Sequence, residues 1–328
     1  MVASKPNIIE AHNLVKKFDG FEAVRGVTFS VKRGEIFGFL GPNGAGKTTT
    51  INMLCTLLKP TSGSAVVNGF DVSKDPNAVR QSIGLVFQDP SLDNRLTARE
   101  NLEFHAMIYN LSVEDMQERI LEVLRLVELE ERQNDLVINF SGGMKRRLEI
   151  ARGLLHYPKV LFLDEPTLGL DPQTRNHIWQ YIHELKKRED ITIFLTTHYM
   201  DEAENCDRVS IIDYGRIVAL DTPDNLKKGV GGDIIQIKTV DDDKALREIK
   251  AKYNISVGRD GSGLRFSIID GERFIPEFIS AFGVKITFVN WRRPTLDDVF
   301  LELTGHAIRD ESASPLDIFR QSTRMRKR

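Results

Sequence analysis

The sequence predicts an α/β fold built around a largely parallel sheet, and three features carry that expectation. Strand-like and helix-like stretches alternate through most of the 328 residues. The longest apolar runs, such as Val160–Leu163 and Ile191–Leu195, are strand-sized. A glycine-rich turn at 41–46 joins an apolar strand-like segment to a helical one.

Taken in order, residues 8–15 and 24–32 read as strands of an antiparallel layer. Residues 35–40 read as a buried strand and 47–57 as a helix. Residues 98–109 and 112–128 alternate polar and apolar positions at helical spacing, which predicts a helical insert over about 90–158. Strands recur at 160–164 and 191–197, with a helix from about 173 to 188 between them, and another strand follows at 208–213.

The pattern changes near residue 225, and Gly229, Gly231 and Gly232 mark a linker. Beyond it a strand (233–239) and a helix (244–253) precede two strands, near 255–258 and 264–269. A helix (272–282), a strand (285–291) and a last helix (295–304) complete a β-α-β-β-α-β order like that of a small split βαβ domain. The predicted organisation is a main domain over 1–225 and a small α+β domain over 230–305. A polar tail, 306–328, ends in RQSTRMRKR and reads as disordered.

Composition narrows the function. A formal net charge of −2 gives no reason to expect broad nucleic-acid binding. The apolar fraction of 41% allows a sizeable core. No apolar stretch approaches the roughly 18 residues of a membrane span. The N-terminus lacks the basic and then apolar regions of a signal peptide. The chain therefore reads as cytosolic, and any membrane function must come through another polypeptide. Cys55 and Cys206 form no CxxC pair, so zinc and thioredoxin chemistry are unsupported.

The chemistry begins at Gly41-Pro42-Asn43-Gly44-Ala45-Gly46-Lys47-Thr48, which fits G-x-x-x-x-G-K-[ST] without a mismatch. Glycines let the backbone turn its N–H groups toward a phosphate. The following helix adds partial positive charge at its N-terminus. Lys47 supplies a point charge for the β- and γ-phosphates, Thr48 a hydroxyl for Mg²⁺, and Thr49 a donor to the α-phosphate.

A second element is the apolar strand Val160–Leu163, which ends in Asp164 and Glu165. Ligands of parallel sheets bind beyond the carboxyl ends of the strands. Asp164 is expected to face Mg²⁺, and Glu165 to polarise or deprotonate the attacking water. His198 follows the strand 191–197 and is expected to reach the γ-phosphate and steady the water and Glu165. Gln88 closes a strand over 83–87, where its amide is expected to bind Mg²⁺ or the water.

Phe140-Ser141-Gly142-Gly143-Met144-Lys145-Arg146-Arg147-Leu148 then supplies a second anion site, a hydroxyl and two glycines at the start of an amphipathic helix. This segment resembles the LSGGQ signature of the ABC (ATP-binding cassette) ATPases. Phe140 stands where that family has leucine and Met144 where it has glutamine. The order of elements over about 8–220 is also the family's. The resemblance implies a P-loop NTPase cassette with a RecA-like core, an antiparallel β layer and a helical insert. It implies ATP and Mg²⁺ as ligands, and a head-to-tail homodimer in which Ser141, Gly142 and Gly143 meet the γ-phosphate held by the opposite subunit. Phe18 matches the aromatic that stacks on adenine. Asp171, in Leu168-Gly169-Leu170-Asp171, matches the loop that crosses the dimer interface.

The same resemblance implies a separate transmembrane permease docked near residues 88–111, at the cytoplasmic face of the cell membrane. The stretch Pro294-Thr295-Leu296-Asp297-Asp298-Val299-Phe300-Leu301-Glu302-Leu303-Thr304-Gly305 is similar to the ending of exporters of the daunorubicin-resistance type, a branch that handles drugs, lipids and polysaccharides, which implies export of an unspecified substrate and a dimer-contact or regulatory C-terminal domain. Competing readings are a soluble ABC ATPase acting on nucleic acid or ribosomes, and an ATP-dependent drug-sequestering protein.

Overall fold

The computed structural model describes residues 6–89, 91–188, 191–260 and 263–305. The chain divides into two compact units, one through Leu220 and one over Asp221–Ala307. The tail at 306–328 lies outside the described residues.

In the first unit the elements run β1 (Asn7–Phe18), β2 (Phe21–Lys32), β3 (Ile36–Leu40), α1 (Lys47–Leu54), β4 (Ser62–Val67), β5 (Phe70–Asp71), α2 (Pro76–Ser82) and β6 (Ile83–Val86). Then come α3 (Ala98–Ile108), α4 (Val113–Leu126), α5 (Gly142–Leu154), β7 (Val160–Asp164), α6 (Pro172–Arg188), β8 (Thr192–Thr197), α7 (Met200–Ala203), β9 (Arg208–Asp213) and β10 (Arg216–Asp221). A six-stranded sheet has the order β10-β9-β3-β8-β7-β6, in which β9, β3, β8, β7 and β6 run parallel to one another. A four-stranded antiparallel sheet, β2-β1-β4-β5, forms the second layer.

The layers meet through alternation along the strands. Phe37 and Phe39 of β3 point the same way and pack with Phe29, Phe162 and Phe194, ring centroids 5.4–6.0 Å apart. Every residue of β3, β7 and β8 is buried, as strands covered on both faces require. β9 and β10 are joined by Tyr214-Gly215 with φ of 43° and 77°, the type I′ geometry that suits a two-residue hairpin.

Helix α1 stops at Leu54, earlier than residue 57, because Thr56 adopts φ 63° and the amides of Leu57 and Leu58 both turn back to the Asn52 carbonyl. The helical region stands on named caps. Thr97 and Glu100 form a capping box at α3, and Ser112 accepts from the Asp115 amide at α4.

The second unit holds α8 (Pro223–Gly229), β11 (Asp233–Thr239), α9 (Asp242–Tyr253), β12 (Gly258–Asp260), β13 (Gly263–Ile268), α10 (Gly271–Ala281), β14 (Ile286–Arg292) and α11 (Leu296–Thr304). Its antiparallel sheet has the order β12-β13-β11-β14. One core joins Ile235, Ile237, Leu264 and Phe266 of the strands to Ala245, Ile249 and Phe278 of α9 and α10. In α11, Asp298 is buried and pairs with Arg265 and Arg292 while closing a capping box with Thr295. The unit begins before the glycines at 229–232, because Thr222 caps α8 and α8 packs with α11.

Candidate active site

Three neighbouring parallel strands, β3, β8 and β7, end on one side of the sheet and deliver the chemistry there. Register places Leu40 opposite Thr197 and Asp164 opposite Thr196, so Gly41, Glu165 and His198 leave neighbouring strands at the same level. The Gly41 amide donates to the Thr197 carbonyl at 3.2 Å, and the Gly215 amide donates to that of Ala45 at 3.0 Å. These bonds fix both ends of the glycine-rich turn. Gly46 stands at the N-cap of α1 with φ 101°, and an added Cβ would lie 2.5 Å from the Ala23 carbonyl oxygen. No side chain caps this helix, so its first-turn amides face an incoming anion. Asn43 and Gly44 are exposed at the tip of the turn.

Lys47 is buried, and its Nζ donates to the Gly41 and Pro42 carbonyls at 2.9 and 3.2 Å. The same Nζ lies 3.1 Å from Glu165 Oε1. On the other side, His198 Nδ1 lies 3.3 Å from Glu165 Oε2. Glu165 takes φ 47°, a left-handed backbone unusual for its type, and its amide donates to Thr196 Oγ1 at 3.0 Å. Such a conformation costs about 1–3 kcal/mol and concentrates at sites where it serves function. Burial pushes the Glu165 carboxyl up, but contact with His198 and the charge of Lys47 outweigh it, and the group titrates below its usual value. Burial pulls the Lys47 ammonium down, with Glu165 opposing.

Thr48 Oγ1 donates to Asp164 Oδ1 at 3.3 Å, and Thr196 also donates to that oxygen. A hydroxyl and a carboxylate oxygen side by side are the hard donors Mg²⁺ takes from protein when phosphates and water complete its shell. Among the described residues no cluster of three or more His, Cys, Asp or Glu could hold a metal ion.

The second anion element lies at the start of α5. Ser141 caps it, accepting from the Met144 amide at 3.2 Å. Phe140 is buried and anchors the approach. A Cβ on Gly143 would come within 2.4 Å of Thr174 Cγ2, so only glycine permits this approach of α5 to α6. Thr174 is held in turn by Asp171, whose carboxylate accepts from its amide at 3.0 Å and its hydroxyl at 2.6 Å. Ser141, Gly143, Met144, Asp171 and Thr174 share one groove.

Comparison with known proteins fits this geometry. A family model described as ABC transporter matches residues 24–168, and one described as the C-terminal domain of DrrA1-3-like ATP-binding proteins matches 222–304. The linearmycin resistance ATP-binding protein LnrL of Bacillus subtilis is 38% identical over 312 residues, 92% of this chain and 100% of that one. The daunorubicin/doxorubicin resistance ATP-binding protein DrrA of Streptomyces peucetius is 39% identical over 313 residues, 93% of this chain and 94% of that one. The chain belongs to the ATP-binding proteins of ABC transporters. Among solved structures, cbiO1 of Clostridium perfringens, part of the cbiONQ transporter complex, gives a TM-score of 0.65 at 29% identity, over 76% of this chain and 97% of that one. The ADP- and Pi-bound dimer of the cassette MJ0796 gives 0.59 at 29% identity, over 65% and 98%.

The chain is thus an ATP-binding, ATP-hydrolysing subunit of an ABC transporter. Within this cassette, Lys47, Thr48, Asp164, Glu165 and His198 meet at one place. Phe18 lies at the end of β1, 42% exposed, with the Lys16 ammonium 5.0 Å from its ring centre. Gln88 sits two residues beyond β6 and is exposed; among the described residues no hydrogen bond joins it to Lys47, Asp164 or Glu165.

Two buried groups escaped the sequence reading. Arg146 of α5 donates to the carbonyls of Pro166 (2.7 Å), Asp164 (2.9 Å) and Glu165 (3.1 Å), and also to that of Phe87. It pairs with fully buried Glu149, which accepts from the Ser91 amide at 2.7 Å. Arg146, Glu149 and Arg152 recur every third residue on a buried helix face, a charge pattern visible in the sequence. The other buried group is Glu202 of α7.

Proposed function

We propose that this cassette acts as a homodimer beneath a separate transmembrane subunit, at the cytoplasmic face of the membrane, and drives export by hydrolysing Mg·ATP. One observation carries the catalytic reading: Glu165 is held between Lys47 and His198 at the ends of the strands. In this reading the turn at 41–46 and Lys47 cradle the phosphates, Thr49 adds a donor, and Phe18 stacks on the adenine. Thr48 and Asp164 would hold Mg²⁺, with Gln88 as a further donor once nucleotide is bound; when bound, such an ion would supply positive charge against the developing phosphate charge. Glu165 takes a proton from water as the oxygen attacks the γ-phosphorus, and ADP carries away the electrons of the broken bond. His198 steadies the water and Glu165.

Ser141, Gly143 and Asp171 lie in a groove open to solvent, with Gly142 between the first two in the chain, which suits a γ-phosphate presented by a second copy. Phe104, Met107 and Ile108 on α3 are 58%, 61% and 56% exposed, an apolar face that suits a permease. The names of the resistance proteins support a drug-like cargo, and the second unit is read as a dimer-contact or regulatory module. The test is ATPase activity of the purified chain against protein concentration. Activity per chain that rises with protein concentration, and that EDTA removes, supports the dimer and the metal. Activity per chain that stays constant in a monomer refutes the shared site.

A further inference from the structure

We propose that Glu202 is a positioning residue for hydrolysis, tying the loop that carries Glu165 to the loop that carries His198 through the hydroxyls of Thr167 and Thr197. The proposal rests on the reading of Glu165 as the base. Its ground is geometric. Thr197 immediately precedes His198, and its hydroxyl donates to Glu202 Oε2 at 2.7 Å. The same hydroxyl accepts from the Tyr199 amide at 2.9 Å, so it fixes the backbone on both sides of the histidine. Thr167, two residues after Glu165, donates to Glu202 Oε1. Glu202, Thr167 and Thr197 are each no more than 1% exposed. The carboxylate therefore closes a ring running from Glu165 through Pro166 and Thr167 to Glu202, then through Thr197 and His198 back to Glu165.

The ring has an outlet toward the dimer side. Arg175 of α6 lies 3.8 Å from Glu202 Oε1, and its guanidinium lies 4.3 Å from the centre of the Tyr199 ring. Arg175 follows Thr174, the residue Asp171 holds against the signature glycine. A buried carboxylate contributes little net stability compared with an apolar residue of its volume, so two hydroxyl contacts on two catalytic loops point to alignment.

The charge state matters to this alignment. Ionised, the carboxylate accepts from both threonines and faces Arg175. Protonated, it must donate through one oxygen, and one threonine contact is remade or lost. Burial pushes the Glu202 carboxyl up to about 7, with Thr197 and Arg175 opposing. Arg175, His198, Glu165, Arg146 and Cys206 are the titratable or charged groups that act with it there.

The test is steady-state ATPase of the full-length chain carrying Glu202→Gln, across the pH range. Glutamine keeps the shape of the protonated acid. At about pH 8, kcat should fall about tenfold with KM for ATP within twofold of wild type; at about pH 6 the two proteins should agree. Equal kcat at the higher pH, or a loss of the same size at both, overturns the proposal. Thr197→Val removes one donor and leaves Glu202 in place, so it replaces the first variant if that fails to fold. It should show the same loss of kcat without a change in KM, and wild-type kcat overturns the proposal. Glu165→Gln run alongside separates the two readings: normal turnover there refutes the base, whatever Glu202 does.

Discussion

Replacing Arg146 with Met tests how the signature helix is tied to the catalytic strands. The guanidinium is 6% exposed and serves four backbone carbonyls, three of them at 2.7–3.1 Å on Asp164, Glu165 and Pro166. It is also an ion partner of fully buried Glu149, at 3.3 Å. Breaking a buried pair from one side costs about 3–5 kcal/mol. Glu149 keeps the Ser91 amide and a more distant Arg152, at 3.7 Å, which favours the low end of that range. The orphaned carbonyls add about 1 kcal/mol or more between them. The sum is about 4–5 kcal/mol, a large share of the roughly 5–15 kcal/mol that stabilises a domain. At about 2–4 °C per kcal/mol for a domain of this size, calorimetry of Arg146→Met should show the melting of the first unit lowered by roughly 8–20 °C. Adding Glu149→Gln should restore part of the loss, because the stranded charge goes with it. A shift below about 2 °C in the single variant would refute the argument that this arginine anchors the strand ends.

Other outcomes follow from the same geometry. Lys47→Ala should abolish binding of a fluorescent ATP analogue, and retained tight binding counts against the phosphate-loop assignment. Gly143→Ala places a methyl 2.4 Å from Thr174 and should lower ATPase activity about tenfold while leaving ATP affinity near wild type, checked by steady-state kinetics and titration. In the second unit, Arg292 donates to Asp298 at 2.7 Å and the carboxyl is almost fully buried. Burial pushes that carboxyl up, but Arg292 and Thr295 outweigh it and hold it below its usual value. A carboxyl depressed by folding stabilises the native state above its unfolded pKa, about 3.9, and that contribution is lost as pH falls through the lower folded value. Asp298→Ala should therefore cost about 1–2 kcal/mol at neutral pH, discounted for the exposure of Arg292, and the difference from wild type should shrink in strong acid as the charge-dependent part is lost. Urea unfolding at the two pH values measures both.

The strand, glycine turn and helix over 36–54 are legible because they are contiguous in the chain. Asp164 and Glu165 were legible for the same reason, at the end of an all-apolar strand. The contacts among them were not, since Lys47 and Glu165 meet only when β3 and β7 flank β8 in the sheet. The alternation of strands and helices after residue 233 gave the elements of the second unit, but the order β12-β13-β11-β14 depends on pairing that local pattern does not encode. Helix α8 was missed because it is one short stretch beside three glycines. Arg146 reads in the sequence only as part of a signature, because the backbone carbonyls it clamps are distant along the chain. Glu202 looks like an ordinary helix acid until Thr167 and Thr197 fold against it. Gln88 shows the reverse: its place in the order of motifs was plain, yet its side chain stays outside the network around Asp164.

The central claim is that Glu165 activates water in a site completed by a second copy. Glu165→Gln keeps the shape of the side chain and removes the base. Turnover measured together with light scattering in Mg·ATP tests both halves at once. The account predicts ATP bound, a long-lived dimer and turnover lowered at least about a hundredfold. Turnover near wild type, or a protein that stays monomeric with ATP bound, would contradict it.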